Sequence, residues 1–197
     1  RMEAMTKIIL KFDKHWWLDD LHGMICADCF IPEVWVNSTK GTGTLVDPKY
    51  WEPTGEEASE DGEEVEYYVV GFLAGSRAEK VHQLGEEASK KMFLAQLDEI
   101  FSEFIEDDSE LPSKLCTGGF IHEWSEEPFV RGGYTSLSTT ESPEARSELA
   151  KPVRDTFFFA GEATNVSSSW MTAHGAMGSG SRAAKEVMKV LEEKKAK

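Results

Sequence analysis

From Met5 to Phe12 the chain alternates, with Ile8, Leu10 and Phe12 on one face and Lys7, Ile9 and Lys11 on the other. That period of two predicts a half-buried strand. Trp16 and Trp17 follow. A second strand is expected over Phe30 to Val36, where Val34, Trp35 and Val36 come after the break at Pro32. Val65 to Ala74 is nearly continuous in apolar and β-branched residues, which predicts a central strand. Between Gly85 and Ile105, Ala88, Met92, Leu97, Ile100, Phe101, Phe104 and Ile105 recur largely in steps of three and four, so a helix is predicted, with Glu86 and Glu87 complementing its positive end. A short strand is expected around Phe120 to Trp124. Thr156 to Ala160 reads as a buried strand broken at Gly161, and Ala176, Gly180, Ala183, Val187 and Leu191 predict a helix from Thr172 to Glu192. The fold class is a mixed α+β.

Composition narrows the partners. The 197 residues hold 21 Lys+Arg against 36 Asp+Glu, a formal charge of 21 − 36 = −15. A phosphate backbone or an anionic membrane surface is repelled by such a chain, while small cations, amines included, are drawn to it. Neither nucleic acid nor membrane is expected as a partner, and no apolar run approaches the roughly 18 residues of a spanning helix. Glu56 to Glu66 is a self-repelling acidic stretch, expected to be an exposed loop or hairpin tip. Cys26, Cys29 and Cys116 are an odd set that describes no secreted disulfide framework, so a reducing, cytoplasmic location is expected. The chain opens on Arg1 with a strand close behind, as a cut through a longer protein would, and any targeting signal would then lie out of view.

Candidate chemistry gathers near the C-terminus. Ala160-Gly161-Glu162-Ala163-Thr164 leads by a loop into a helix whose first turns, Gly175-Ala176-Met177-Gly178-Ser179-Gly180, carry almost no side chains. Each interior glycine costs a helix about 1 kcal/mol relative to alanine, so something is expected to approach this backbone closely. A helix N-terminus stabilises an anionic group, and Glu162, at the end of a strand, is placed to accept from ribose or ribityl hydroxyls. Plain strand–glycine–helix packing is the competing reading.

The string Phe159-Ala160-Gly161-Glu162-Ala163-Thr164, followed by Thr172-Ala173-His174-Gly175-Ala176, Ser179-Gly180 and Arg182-Ala183-Ala184, resembles the C-terminal FAD-binding segment of the flavin-dependent amine oxidases. Thr6-Lys7-Ile8 with Trp16 and Trp17 is similar to that family's Thr-Lys-Ile strand and Phe-Trp pair. Trp124 to Pro128 with Arg131-Gly132-Gly133-Tyr134-Thr135 is similar to its Trp to Gly-Ser-Tyr-Ser stretch. The resemblance covers essentially the whole chain and is nearest to the polyamine oxidase and lysine-specific histone demethylase branch. It implies a substrate-binding domain of sheet and helices over residues 1–127. Residues 128–197 would be the C-terminal strand–helix segment of a Rossmann-like FAD-binding domain. The family's Gly-x-Gly-x-x-Gly unit for the FAD pyrophosphate is not in this sequence, so the segment carrying it would be a partner and the chain by itself is expected to be inactive.

Residue by residue, the resemblance makes Lys7 the lysine that holds a water near flavin N5. Tyr134 would be one wall of the substrate site, and Thr172 would stand where monoamine oxidases carry the second aromatic wall. Gly161 and Glu162 would meet the cofactor, Glu162 through the ribityl chain, and the backbone at Thr172 and Ala173 would face the pyrimidine side of the ring. Gly133 stands where monoamine oxidases carry the cysteine that bonds the flavin, so FAD would be noncovalent. His174 would cap or pack, and Trp124 would be core. The implied reaction is oxidation of a carbon–nitrogen bond of a polyamine-like amine, with O2 reduced to peroxide.

Two other classes stay open: a noncatalytic module whose acidic loop binds a basic partner, and a related FAD oxidoreductase acting on something other than an amine. The Thr-Lys-Ile strand favours the amine oxidase. Cys26 and Cys29 with His22 do not make a zinc site, because four ligands are needed and Cys116 is distant in sequence; no metal is expected. The triplets at Asn37 and Asn165 match the glycosylation pattern without arguing for export.

Overall fold

The computed structural model describes residues 2–38, 65–136 and 144–196. The acidic stretch therefore lies outside the described residues up to residue 64. The chain divides into two compact units, Ala4–Arg131 and Gly132–Lys197 together with Arg1–Glu3.

The larger unit is one five-stranded antiparallel sheet with helices on one face. Its elements are β1 (Met5–Phe12), β2 (Gly23–Ile25), β3 (Glu33–Ser38), β4 (Tyr67–Ala74), α1 (Ser76–Leu84), α2 (Glu86–Phe101), α3 (Pro112–Leu115) and β5 (Cys116–Glu123). The strand order is β2-β3-β4-β1-β5. β4, the most strand-like segment by sequence, is thus the middle strand, as expected. Alternation along β1 buries Ile8, Leu10 and Phe12 against Val34 and Val36 of β3, Val69 and Leu73 of β4, Ala78 and Val81 of α1, and Phe93, Leu97 and Phe101 of α2. Gly71 keeps β4 flat against the helix: a Cβ there would meet Ile31 Cγ2 at 2.8 Å and Phe93 Cε1 at 2.9 Å.

Several sequence expectations are corrected. The strand expected over Phe30 to Val36 begins at Glu33 and runs to Ser38, because Ile31 leaves the sheet edge to enter the core. Its partner β2 and helix α1 carry too few residues to announce themselves. The long helix ends at Phe101; Leu97 and Phe101 of the predicted face are buried, but Ala88, Met92 and Phe104 are exposed, and Ser89, Phe93 and Gln96 complete the buried face instead. A glutamine can sit there because its side chain closes two hydrogen bonds on the Ile31 backbone, accepting from N–H at 2.8 Å and donating to C=O at 2.9 Å.

In the smaller unit, α4 (Ala145–Ala150), a 3₁₀ turn (Glu162–Thr164) and α5 (Ala173–Lys195) are formed. The strand expected over Thr156 to Ala160 is not: the segment makes a single bridge, Phe157 to Val153, and Phe157 is 61% exposed. A strand exists only through a neighbour, and among the described residues none runs beside it. The helix predicted from Thr172 runs as expected; of its predicted face Ala183 is buried, joined by Gly175 and Ser179, while Ala176, Gly180 and Val187 are half-buried and Leu191 is exposed.

Candidate functional site

In the sheet unit, Lys7 points away from the helices. Directly paired antiparallel residues share a face, and Lys7 is paired with Phe72 of β4 on one side and His122 of β5 on the other. Lys11, two steps further along that face, beyond Ile9, is held by Glu66, which also takes the Tyr68 hydroxyl. Lys7 has no acceptor among the described residues. It lines an open groove of about 480 Å³ with His22, Glu33, Trp35, Asn37 and Phe72. Glu33 accepts from the Trp35 indole N–H at 2.8 Å, and the buried Nδ1 of His22 has no hydrogen-bond partner among the described residues. Sequence reasoning missed Glu33, Trp35 and His22. Alternation along β3 puts Glu33 and Trp35 on one face, but only the strand register puts that face beside Lys7.

In the smaller unit, Arg182 fixes the segment before the 3₁₀ turn by donating to the carbonyl of Phe159 at 2.7 Å and to that of Ala150 at 3.2 Å. The Gly161 N–H donates to Ser179 Oγ at 2.8 Å, which ties this segment to α5. Glu162 is the hub. Its carboxylate accepts from Thr135 N–H at 2.9 Å, Thr135 Oγ1 at 2.8 Å, Met171 N–H at 3.1 Å and Arg146 Nη1 at 3.3 Å. Arg146 also donates to Thr135 Oγ1 and lies 5.5 Å over the Trp170 ring. Glu162 thereby gathers the segments of Tyr134 and Thr172, which the sequence places nearly forty residues apart. Burial acts to raise the Glu162 pKa, but the bonds from Thr135, Met171 and Arg146 outweigh it and hold the carboxyl below its ordinary range.

A folded-state pKa below the unfolded one gives stability that is present above the unfolded value and is lost as pH falls through the folded value. Glu162→Gln is therefore expected to cost about 2 kcal/mol near pH 7 and progressively less in acid. Thermal unfolding of both proteins from about pH 7 to about pH 3 checks it: the two curves should converge at the acid end.

Thr172 caps α5. Its Oγ1 accepts from Gly175 N–H at 3.1 Å and donates to the Ser169 carbonyl at 2.8 Å. Asn165, 4% exposed, donates to that same carbonyl at 2.8 Å, so the second glycosylation-like triplet is a turn-forming part of the loop. The backbone N–H groups of Thr172, Ala173 and His174 have no acceptor among the described residues. Three open donors at the positive end of a 23-residue helix fit the acceptor edge of a flavin pyrimidine ring. Glu162 fits a ribityl hydroxyl less simply. Three of its four donors crowd onto Oε1, whereas Oε2 accepts only from the Thr135 N–H, so a hydroxyl is confined to the one acceptor site left on Oε2. Cys26 and Cys29 flank a turn closed by the Cys29 N–H on the Cys26 carbonyl at 3.1 Å, and burial first, then Cys29, pushes the Cys26 thiol up.

Comparison with known proteins places the chain among its relatives. Lysine-specific histone demethylase 2 of Homo sapiens is 32% identical over 97 residues, 49% of this chain and 11% of that protein. Probable polyamine oxidase 4 of Arabidopsis thaliana is 25% identical over 190 residues, 96% of this chain and 32% of that protein. The fold is shared with a double mutant of putrescine oxidase (TM-score 0.65, 16% identity, 95% of this chain and 36% of that one). It is shared too with cyclohexylamine oxidase from Brevibacterium oxydans IH-35A (TM-score 0.62, 15% identity, 98% and 36%). The chain thus spans between 11% and 36% of the length of each of these relatives. Since residues 1–188 also match the family model for flavin containing amine oxidoreductase, the chain belongs to that family.

Proposed function

We propose that this chain forms the sheet and the flavin-ring segment of an FAD-dependent amine oxidase acting on a polyamine-like amine. The observation that carries the reading is Lys7, a lysine without an acceptor among the described residues, on the open sheet face beside aromatic and apolar groups, within the Thr6-Lys7-Ile8 strand. Net charge −15 favours a cationic substrate over an anionic one.

When bound, FAD supplies a two-electron acceptor for the hydride on the carbon next to the amine nitrogen. The protein orients and protects. Lys7 Nζ holds a water by donating to its oxygen. In the sheet unit Phe72 and Trp35 keep the groove apolar; in the smaller unit Tyr134 and Thr172 are the residues that the family resemblance assigns to the substrate. The backbone N–H groups of Thr172 and Ala173 would hold the ring noncovalently, since Gly133 offers no thiol. Overall an amine, O2 and water give an aldehyde, a shortened amine and H2O2.

Peroxide release by the full-length gene product from spermine or spermidine is the expected result. Absence of amine-dependent flavin bleaching with these, and with a methyl-lysine peptide, would reject the class. The present chain alone is expected neither to turn over nor to saturate with FAD at micromolar concentration, because the glycine turn for the pyrophosphate is not encoded in it. A fluorescence titration showing micromolar binding would overturn that.

A further inference from the structure

We propose that Glu33 is a subsite for a second, distal ammonium group, which selects diamines and polyamines over monoamines and over lysine in a peptide. The inference rests on the reading that Lys7 marks the place of oxidation.

Three neighbouring strands set a row across the open face of the sheet. Lys7 of β1 pairs with Phe72 of β4, and Phe72 pairs in turn with Glu33 of β3. Directly paired residues in antiparallel strands project to the same side, so the row presents amine, aromatic ring and carboxylate in that order. Neighbouring strands lie about 4.8 Å apart, which separates Lys7 from Glu33 by about 10 Å. All three residues line the same groove. The next row, Ile9, Val70 and Trp35, is apolar and aromatic across the same three strands. Between the two ends, then, the floor is suited to methylene groups and offers them no hydrogen bond.

Glu33 is equipped for a cation. Its Oε1 accepts from the Trp35 indole at 2.8 Å, which fixes the carboxylate, while Oε2 has no donor among the described residues. The other carboxylates near this sheet are committed: Glu66 is held by Lys11 and Tyr68, and Glu123 faces His82 Nδ1 at 2.8 Å. The exposed Trp35 ring adds a face over which an ammonium group is attracted. A substrate with one charge at the oxidised end leaves Glu33 without a partner. One with a second charge beyond an aliphatic spacer satisfies both ends. A lysine side chain in a peptide has no such second charge.

The test compares 1,4-diaminobutane with butylamine in the FAD-loaded full-length protein and its Glu33→Gln variant. Glutamine keeps an acceptor for the Trp35 indole, so the wall stays in place while the charge is removed. The ratio of kcat/KM for diamine over monoamine is expected to fall by about ten- to a hundredfold, carried by KM, and Glu33→Asp should restore part of it. An unchanged ratio, or equal losses for both amines, overturns the proposal. Calorimetric titration of the same proteins with both amines under nitrogen reads binding without turnover. If the wild-type protein oxidises no amine, the reading of the activity fails; diamine binding lost in Glu33→Gln would still support the subsite, and no difference in binding would overturn it.

Discussion

Gly175→Ala is expected to destroy the start of α5 and with it FAD retention in the full-length protein. A Cβ at this position would lie 2.0 Å from the Ser169 carbonyl oxygen, 2.5 Å from Asn165 Nδ2 and 3.1 Å from Thr172 Oγ1. That carbonyl cannot retreat without cost, because Asn165 and Thr172 both donate to it. The Gly175 N–H is itself the donor to the cap. Overpacking against backbone, together with loss of the cap, is expected to cost about 3 kcal/mol or more. The sign is the diagnostic part: glycine to alanine inside a helix ordinarily stabilises by about 1 kcal/mol. At Gly178 a Cβ meets nothing within 4 Å, so Gly178→Ala is expected to behave in that ordinary way. Denaturant midpoints of the two variants, followed by helical circular dichroism, should move in opposite directions, and only Gly175→Ala should release FAD.

Phe93→Ala is expected to be the most damaging change in the sheet unit, at about 3–5 kcal/mol. Phe93 is fully buried, and its ring lies against the site where Gly71 has no side chain. Removing it opens a cavity between α2 and the middle strand, next to Ile31, whose backbone depends on Gln96 in the same helix. Filling from the other side tests the account. Gly71→Ala alone is expected to cost about 1–3 kcal/mol by crowding Phe93. Combined with Phe93→Leu it should cost less than the sum of the two single changes, since the extra methyl enters the space the ring gives up. Equilibrium urea unfolding of the four proteins measures this, and strict additivity would show that the two positions do not share the cavity.

Local patterns carried much of the fold. The alternation of Met5 to Phe12, the apolar run ending at Ala74 and the spacing after Thr172 each appear as β1, β4 and α5, because a strand or helix face needs only its own period to be recognised. The motifs around Lys7, Gly161 and Glu162 likewise pointed to an amine oxidase before any geometry. What local patterns could not decide is what faces what. Gln96 is buried only because the backbone of Ile31, 65 residues away, takes both ends of its amide. Thr156 to Ala160 looked like a strand, yet pairing depends on a second chain segment, and none beside it is described. Glu162 read as an open acceptor, whereas Thr135, Arg146 and Met171 converge on it from three separate stretches. The row from Lys7 through Phe72 to Glu33 exists only through register, which a slip of one residue would turn to the other face. Periodicity is a property of neighbours along the chain and survives in the sequence. Charge compensation and groove chemistry arise between residues far apart in it, and only the folded backbone brings those together.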